Sequence, residues 1–472
     1  MTHPALWRLS AVELAERIRA RDVSCVDATR SVLERIAEVN PRINALVEVM
    51  AEAALANAQA ADEAVARGDP LGPLHGVPVS VKVNVDCAGH ATTDGIQANH
   101  DNLATADSPV VAHLKNAGAV IVGRSNTPAF SLRWFTDNDL HGRTLNPFNS
   151  NVTPGGSSGG AAAAVAMGMG PIAHGSDYGG SIRYPAWACG VVGLRTTVGR
   201  VAAYKASAPD RLISNQQMSV QGPLTRSVAD ARLALEVMAQ ASPFDPQWVP
   251  APLSHADSAA PRRVAMFKRH AAFDVDATVS AAVAQAADWL AAAGYAVDEV
   301  EPPHFEAGAH LWRQLVMHDM RRAGQAAIES QGDAAVQSAL RGYMAGLPVW
   351  GRDEYLEGLV QRFNLCRDWA LFFEQYPVLL LPNSWQRQFA VDADNGSPEQ
   401  VHKLLAAQAP LLGTAMMGLP GLSVPTGLVD GLPVGVQVCT ARFREDIALR
   451  AGEVIEHAAR FSALDMLADK SL

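Results

Sequence analysis

Cysteine is scarce in this chain. Its 472 residues include five, Cys25, Cys87, Cys189, Cys366 and Cys439, spread far apart and in no CxxC or CxH pairing. An odd, scattered set of this kind reads as reduced thiols and excludes a disulfide framework. Zinc ligands at short, repeated spacing are also missing, and the 14 histidines fall in no obvious motif. Positive charge is short as well, with 38 Lys+Arg against 48 Asp+Glu for a formal charge of −10. The nearest approach to a basic run, Pro261-Arg262-Arg263, is too brief to hold a polyanion. Nucleic acid and membrane surfaces are therefore excluded as main partners.

Long apolar runs are absent too. Met1 to Ala20 carries Arg8, Glu13, Glu16, Arg17 and Arg19, which leaves no room for a signal-peptide core. The uncharged tract around Ala161 to Ala164 is broken by Gly168, Gly170 and Pro171, so it does not read as a membrane span. No repeat of fixed period occurs. A cytoplasmic protein without metal or cofactor is the expectation.

What is present points to a layered α/β chain. The first 70 residues look helical: Ser10 with Glu13 and Ser24 with Asp27 are capping-box-like starts, and Asn40-Pro41 is read as the stop of the second helix. A third, Ala-rich helix is expected over 51–66, ending near Gly68. From Pro78 to Val85 the pattern alternates, with Val79, Val81, Val83 and Val85 on one side and Ser80, Lys82 and Asn84 on the other, the period of a strand. Helix, glycine and strand follow at 108–122 and again at 276–300, which favours an α/β fold. The Pro-, Ala- and Ser-rich stretch at 248–263 reads equally well as a linker or as a surface excursion.

Two glycine-framed serine clusters carry the chemistry. One is Pro154-Gly155-Gly156-Ser157-Ser158-Gly159-Gly160 and the other Asp177-Tyr178-Gly179-Gly180-Ser181-Ile182-Arg183. Glycines permit close approach of a ligand to the main chain, and successive N–H groups in such turns can hold developing negative charge. A flexible linker is the ordinary reading of a Gly-Ser run. Its flanks oppose that here, because an apolar helix pattern from Ala161 and a strand pattern at Pro171-Ile172-Ala173 follow at once. A phosphate cradle would want the Lys-Ser/Thr ending of a P-loop or GxGxxG spacing, and has neither. Gly155-x-Ser157-x-Gly159 matches a nucleophile elbow formally, yet 150–154 is polar and turn-like where that elbow needs an apolar strand.

The block from Pro154 to Val201, which includes both clusters and Cys189-Gly190-Val191-Val192-Gly193-Leu194-Arg195, closely resembles the signature of the amidase signature family. Gly76-Val77-Pro78-Val79-Ser80-Val81-Lys82 resembles that family's catalytic-lysine strand. Further matches lie at 118–128, at 142–147, and in the closing segments 418–425 and 431–437. The resemblance implies one large α/β/α domain over 1–472 around a mixed, mainly parallel sheet, with the helical N-terminal part packed on it and a variable, pocket-forming segment at about 300–410. It implies Lys82 as the base, Ser157 as a bridging serine in a cis peptide, and Ser181 as the nucleophile. The backbone amides of Tyr178, Gly179, Gly180 and Ser181 would form the oxyanion hole, with Ser158, Asp177 and Arg183 in support.

Three positions depart from the family's usual pattern. Val83 stands where Asp is common after the lysine, Ala129 where Glu is common, and Tyr178 where Thr is common before the two glycines. The three triad residues are unaffected, so these departures bear on the substrate. Trp134, Phe135 and Tyr178 are candidates for an aromatic or apolar pocket, with plain core packing as the competing account of these rings. The implied activity is hydrolysis of a small or aryl/alkyl amide, with esters, hydrazides and carbamates open as further substrates. The implied partner is a small-molecule amide, and a homodimer stays open. A second reading is the glutaminase component of a tRNA-dependent amidotransferase complex. A non-catalytic binding module fits poorly with all three triad residues in place.

Overall fold

The computed structural model describes residues 5–253 and 262–468. Its strands form one sheet of eleven: β1 (Leu46–Val49), β2 (Pro78–Lys82), β3 (Val120–Ser125), β4 (Ile172–Asp177), β5 (Val192–Arg195), β6 (Val220–Thr225), β7 (Arg263–Met266), β8 (Ala296–Glu299), β9 (Val378–Leu381), β10 (Gly421–Val429) and β11 (Leu432–Cys439). They lie in the order β1-β3-β2-β4-β6-β5-β10-β11-β9-β7-β8. Strands on both sides of the Pro/Ala/Ser-rich stretch belong to this one sheet; part of that stretch, 254–261, lies outside the described residues.

The sheet is mixed as expected but not mainly parallel. Six neighbouring pairs are antiparallel and four parallel. Helix–glycine–strand alternation generates parallel neighbours only toward the ends, at β4–β2–β3 and β9–β7–β8. The centre is built from antiparallel pairs. The clearest is the β10–β11 hairpin, closed by Asp430 (φ 51°) and Gly431 (φ 74°), a two-residue loop with positive φ at both positions.

Near the N-terminus, α1 (Ala11–Arg19) starts with the expected capping box of Ser10 and Glu13, and α2 (Cys25–Ile43) starts at Ser24. Asn40-Pro41 does not stop α2, which runs on to Ile43 and ends at Asn44 in the left-handed region. Proline keeps helical φ and gives up only its own N–H. Asn40 instead shapes the exit, its Oδ1 accepting from the Ala45 and Leu46 amides at 2.9 Å each. The next segment is β1, antiparallel to β3, and not helix; α3 (Ala51–Arg67) follows, with Gly68 left-handed at its end.

Along the rest of the chain come α4 (Pro109–Asn116), α5 (Gly159–Ala166), α6 (Arg183–Ala188), α7 (Ile213–Met218), α8 (Val228–Met238), α9 (Ala277–Ala292), α10 (Phe305–Asp319), α11 (Gln325–Gln331), α12 (Ala334–Met344), α13 (Arg352–Gln375), α14 (Pro398–Ala407), α15 (Ala409–Met416), α16 (Glu445–Ala459) and α17 (Ala463–Ala468). Alternate residues of β9 show the layering. Val378 and Leu380 pack into a cluster with α8, α9 and α16, whereas Leu379 and Leu381 pack into another with α10 and α12 to α15. The sheet is thus covered on both faces. No helix among the described residues is long and apolar enough to cross a membrane.

Candidate active site

Lys82 is the last residue of β2, and its side chain is fully buried. Its Nζ lies 2.7 Å from Ser157 Oγ and 3.2 Å from both Ser158 Oγ and Ser176 Oγ. No carboxylate is hydrogen-bonded to it among the described residues. Burial pushes its pKa down to about 7, against the pull of the Asp94 and Asp177 charges, which favour the ammonium. His174 meets the strand from the side. Its Nδ1 accepts from the Lys82 amide at 3.4 Å while Nε2 lies 2.7 Å from Gln221 Oε1. Burial lowers the His174 pKa to about 3, so the ring adds no charge beside the lysine at neutral pH.

The two serine clusters converge on this amine. Gly156–Ser157 is a cis peptide, and Ser158 precedes α5, whose small residues are all buried. Ser158 binds the clusters together: its N–H donates to the Ser181 carbonyl at 3.1 Å, and its Oγ accepts from the Ser176 amide at 3.3 Å. Ser181 is partly exposed and lines a cavity that also reaches Ser157. The Ser157 and Ser181 hydroxyls are not hydrogen-bonded to each other in this structure.

Asp177 anchors the second cluster. Its carboxylate accepts from Arg183 Nε (3.0 Å) and Nη2 (2.9 Å) and from Arg195 Nη1 (3.0 Å), all three residues being fully buried. Burial alone would raise the Asp177 pKa; the two guanidiniums outweigh it and hold the carboxyl well below the usual range. Asp177 also accepts from the amides of Gly180 (2.9 Å) and Ile182 (3.1 Å). The Gly180 N–H, expected as an oxyanion donor, is therefore already committed to Asp177. Those of Tyr178, Gly179 and Ser181 donate to no protein acceptor among the described residues. Gly180 has φ +106°, and a Cβ on Gly179 would come within 2.6 Å of Trp312, so both positions demand glycine.

Ser181 and Tyr178 stand where two cavities meet. The polar one, about 840 Å³ including its open mouth, takes in Asn84, Asp94, Ser157, Ser176 and Lys205. The other, about 690 Å³ on the same measure, is walled by Leu132, Trp134, Trp312, Val316, Met317 and Tyr343. Trp134 lines this second cavity, whereas Phe135 lines neither of the two that meet at Ser181. Phe135 is buried against Phe389, with ring centroids 6.2 Å apart.

Several contributors were not singled out from the sequence. Arg195 lies inside a quoted motif, and Asn84 shares the polar side of the β2 pattern with Lys82; Asn84 Nδ2 donates to Ser176 Oγ at 3.0 Å. Trp312 belongs to a segment with no readable motif, and only the fold brings it to Gly179.

Comparison with known proteins identifies the family. The family model described as Amidase matches residues 27–449. An indoleacetamide hydrolase of Bradyrhizobium diazoefficiens is 43% identical over 96% of this chain and 87% of its own length. A glutamyl-tRNA(Gln) amidotransferase component of Moorella thermoacetica is 34% identical over 97% of this chain and 98% of its own. A bacterial aryl acylamidase of the amidase signature family superposes with a TM-score of 0.84 at 26% identity, over 98% of this chain and 99% of that one. On this extent of likeness, the chain belongs to the amidase signature family and is an amidase.

Proposed function

We propose that this amidase cleaves the C–N bond of a small arylalkyl carboxamide, indoleacetamide or a close analogue, through an acyl-enzyme on Ser181. One observation carries the reading: a buried, weakly basic amine lies 2.7 Å from Ser157, at a cavity that opens past Ser181 onto an aromatic-walled pocket.

The chemistry follows from proton positions. A serine hydroxyl becomes a competent nucleophile when a base removes its proton during attack. With Lys82 neutral, Ser157 gives its proton to Nζ and takes the proton of Ser181, whose Oγ bonds to the amide carbon. The Ser157–Ser181 link closes when substrate draws the two hydroxyls together, since catalytic hydrogen bonds tighten in the complex. The carbonyl π pair moves onto oxygen, facing the Tyr178, Gly179 and Ser181 amides; one such donor is worth about 3 kcal/mol. Collapse of the adduct breaks the C–N bond, and the leaving nitrogen receives the proton from Ser157 as Lys82 returns its own. Water then repeats the sequence on the acyl-enzyme and releases the carboxylic acid.

The two cavities orient the substrate. The aryl group of the acyl part fits between Trp134, Trp312 and Met317, and the leaving nitrogen faces the polar cavity beside Ser157. The segment at about 300–410, which supplies Trp312, Val316, Met317 and Tyr343, sets acyl preference in this reading.

Ammonia release by the purified chain alone tests the proposal, with indoleacetamide, phenylacetamide, acetamide and glutamine as substrates. Burying an aryl group is worth about 2–3 kcal/mol, so kcat/KM for the arylacetamides should exceed that for acetamide by roughly 30- to 160-fold. Preference for glutamine, or activity only with added partner proteins, would reverse the assignment.

A further inference from the structure

We propose that Trp312 is a positioning residue, whose indole N–H aims the Gly179 amide at the developing oxyanion and whose ring makes that aim sensitive to the acyl group. The inference rests on the acyl-enzyme reading above. Trp312 Nε1 donates to the Tyr178 carbonyl at 3.0 Å. A trans peptide is planar, so the Tyr178 C=O and the Gly179 N–H point in opposite directions from one plate. Holding the carbonyl from behind fixes the direction of the amide in front.

The next plate shows the contrast. The Gly179 carbonyl accepts from Trp134 Nε1 at 3.1 Å, and the Gly180 N–H donates to Asp177 at 2.9 Å, so that peptide is tied at both ends. Peptide 178–179 is tied at its carbonyl alone, and its amide donates to no protein acceptor among the described residues.

A second tether comes from the same helix. On α10, two turns beyond Trp312, Asp319 Oδ2 accepts from the Ser214 amide at 2.8 Å and from Ser214 Oγ at 2.6 Å. The Ser214 hydroxyl proton is thereby used, which leaves Tyr178 OH as the donor in the 2.6 Å contact with Ser214 Oγ. Helix α10 thus grips Tyr178 at its carbonyl and, through Ser214, at its phenol. The Trp312 ring meets Tyr178 edge-on at 5.6 Å and, with Val316 and Met317 of the same helix, forms a wall of the apolar pocket. An acyl group filling that pocket therefore presses on the ring that sets the amide.

The test removes the N–H and keeps the ring. Replacement of Trp312 by benzothienylalanine, a near-isostere with sulfur in place of N–H, does both; Trp312→Phe, which also shrinks the ring, is the supporting variant and is judged on kcat and ketone affinity alone. Three quantities are read: kcat on phenylacetamide, inhibition by a benzyl trifluoromethyl ketone that forms a tetrahedral adduct, and phenylacetamide binding to the same variants carrying Ser181→Ala. We expect kcat and ketone affinity to fall together by at least about tenfold, with amide binding changed less than about twofold. A merely structural role would move amide binding and melting temperature as well. Unchanged kcat, or a loss confined to amide binding, overturns the inference while leaving Ser181 in place. Retained turnover in Ser181→Ala alone would instead overturn the acyl-enzyme reading beneath it.

Discussion

At the scale of single residues, the site depends on two opposite treatments of buried charge. Lys82 is buried without a hydrogen-bonded carboxylate and gives up its proton easily; Asp177 is buried between two arginines and holds its charge. The sign for activity follows directly. In the proposed relay the working form of Lys82 is neutral, so kcat/KM should rise as pH passes through about 7 and level off above it. A pH–rate profile checks this, and a limb near the ordinary lysine value of about 10.4 would contradict it. Lys82→Met should lower kcat by roughly 10²- to 10⁴-fold with the fold intact by circular dichroism. For Asp177→Asn the damage is to stability, because two buried guanidiniums lose their counter-charge. Denaturant unfolding should show a loss of about 3–5 kcal/mol. Lys82 and the two serines could be read from the sequence because they sit in ordered motifs, even though no motif gives a distance. Phe135 could not be told apart from Trp134, because adjacency in sequence does not say which of two neighbours faces a given cavity.

At the scale of elements, alternation made β2 readable and put Lys82 on its polar side, but the pattern runs on to Val85 whereas the strand ends at Lys82 and the chain turns at 83–85. The central antiparallel strands were missed although Asp430-Gly431 between two apolar runs is a strong hairpin signal. Gly431 has φ 74° and open space around it, so Gly431→Ala should cost about 1–2 kcal/mol through backbone strain alone. Thermal melts should register that loss while kcat stays unchanged. Strand β1 was hidden by its position between two helices, since four residues cannot establish a period. Pro41 misled for a different reason: near a helix end its missing N–H weakens the helix without stopping it.

At the scale of the whole molecule, one sheet gathers residues far apart in sequence. Lys82 from β2, the turn before α5, the loop after β4 and a wall from α10 meet around Ser181. The α10 contribution could not be read, because Trp312, Val316 and Met317 look like an ordinary buried helix face until the fold sets them against Gly179. The most direct measurement of the whole arrangement is the mass of the protein trapped during turnover of an activated arylacetyl ester by acid quench, followed by peptide mapping. The account predicts one arylacetyl adduct, on the peptide containing Ser181, lost in Ser181→Ala and slow to form in Lys82→Met. An adduct on another residue, with Ser181 unmodified, would contradict it.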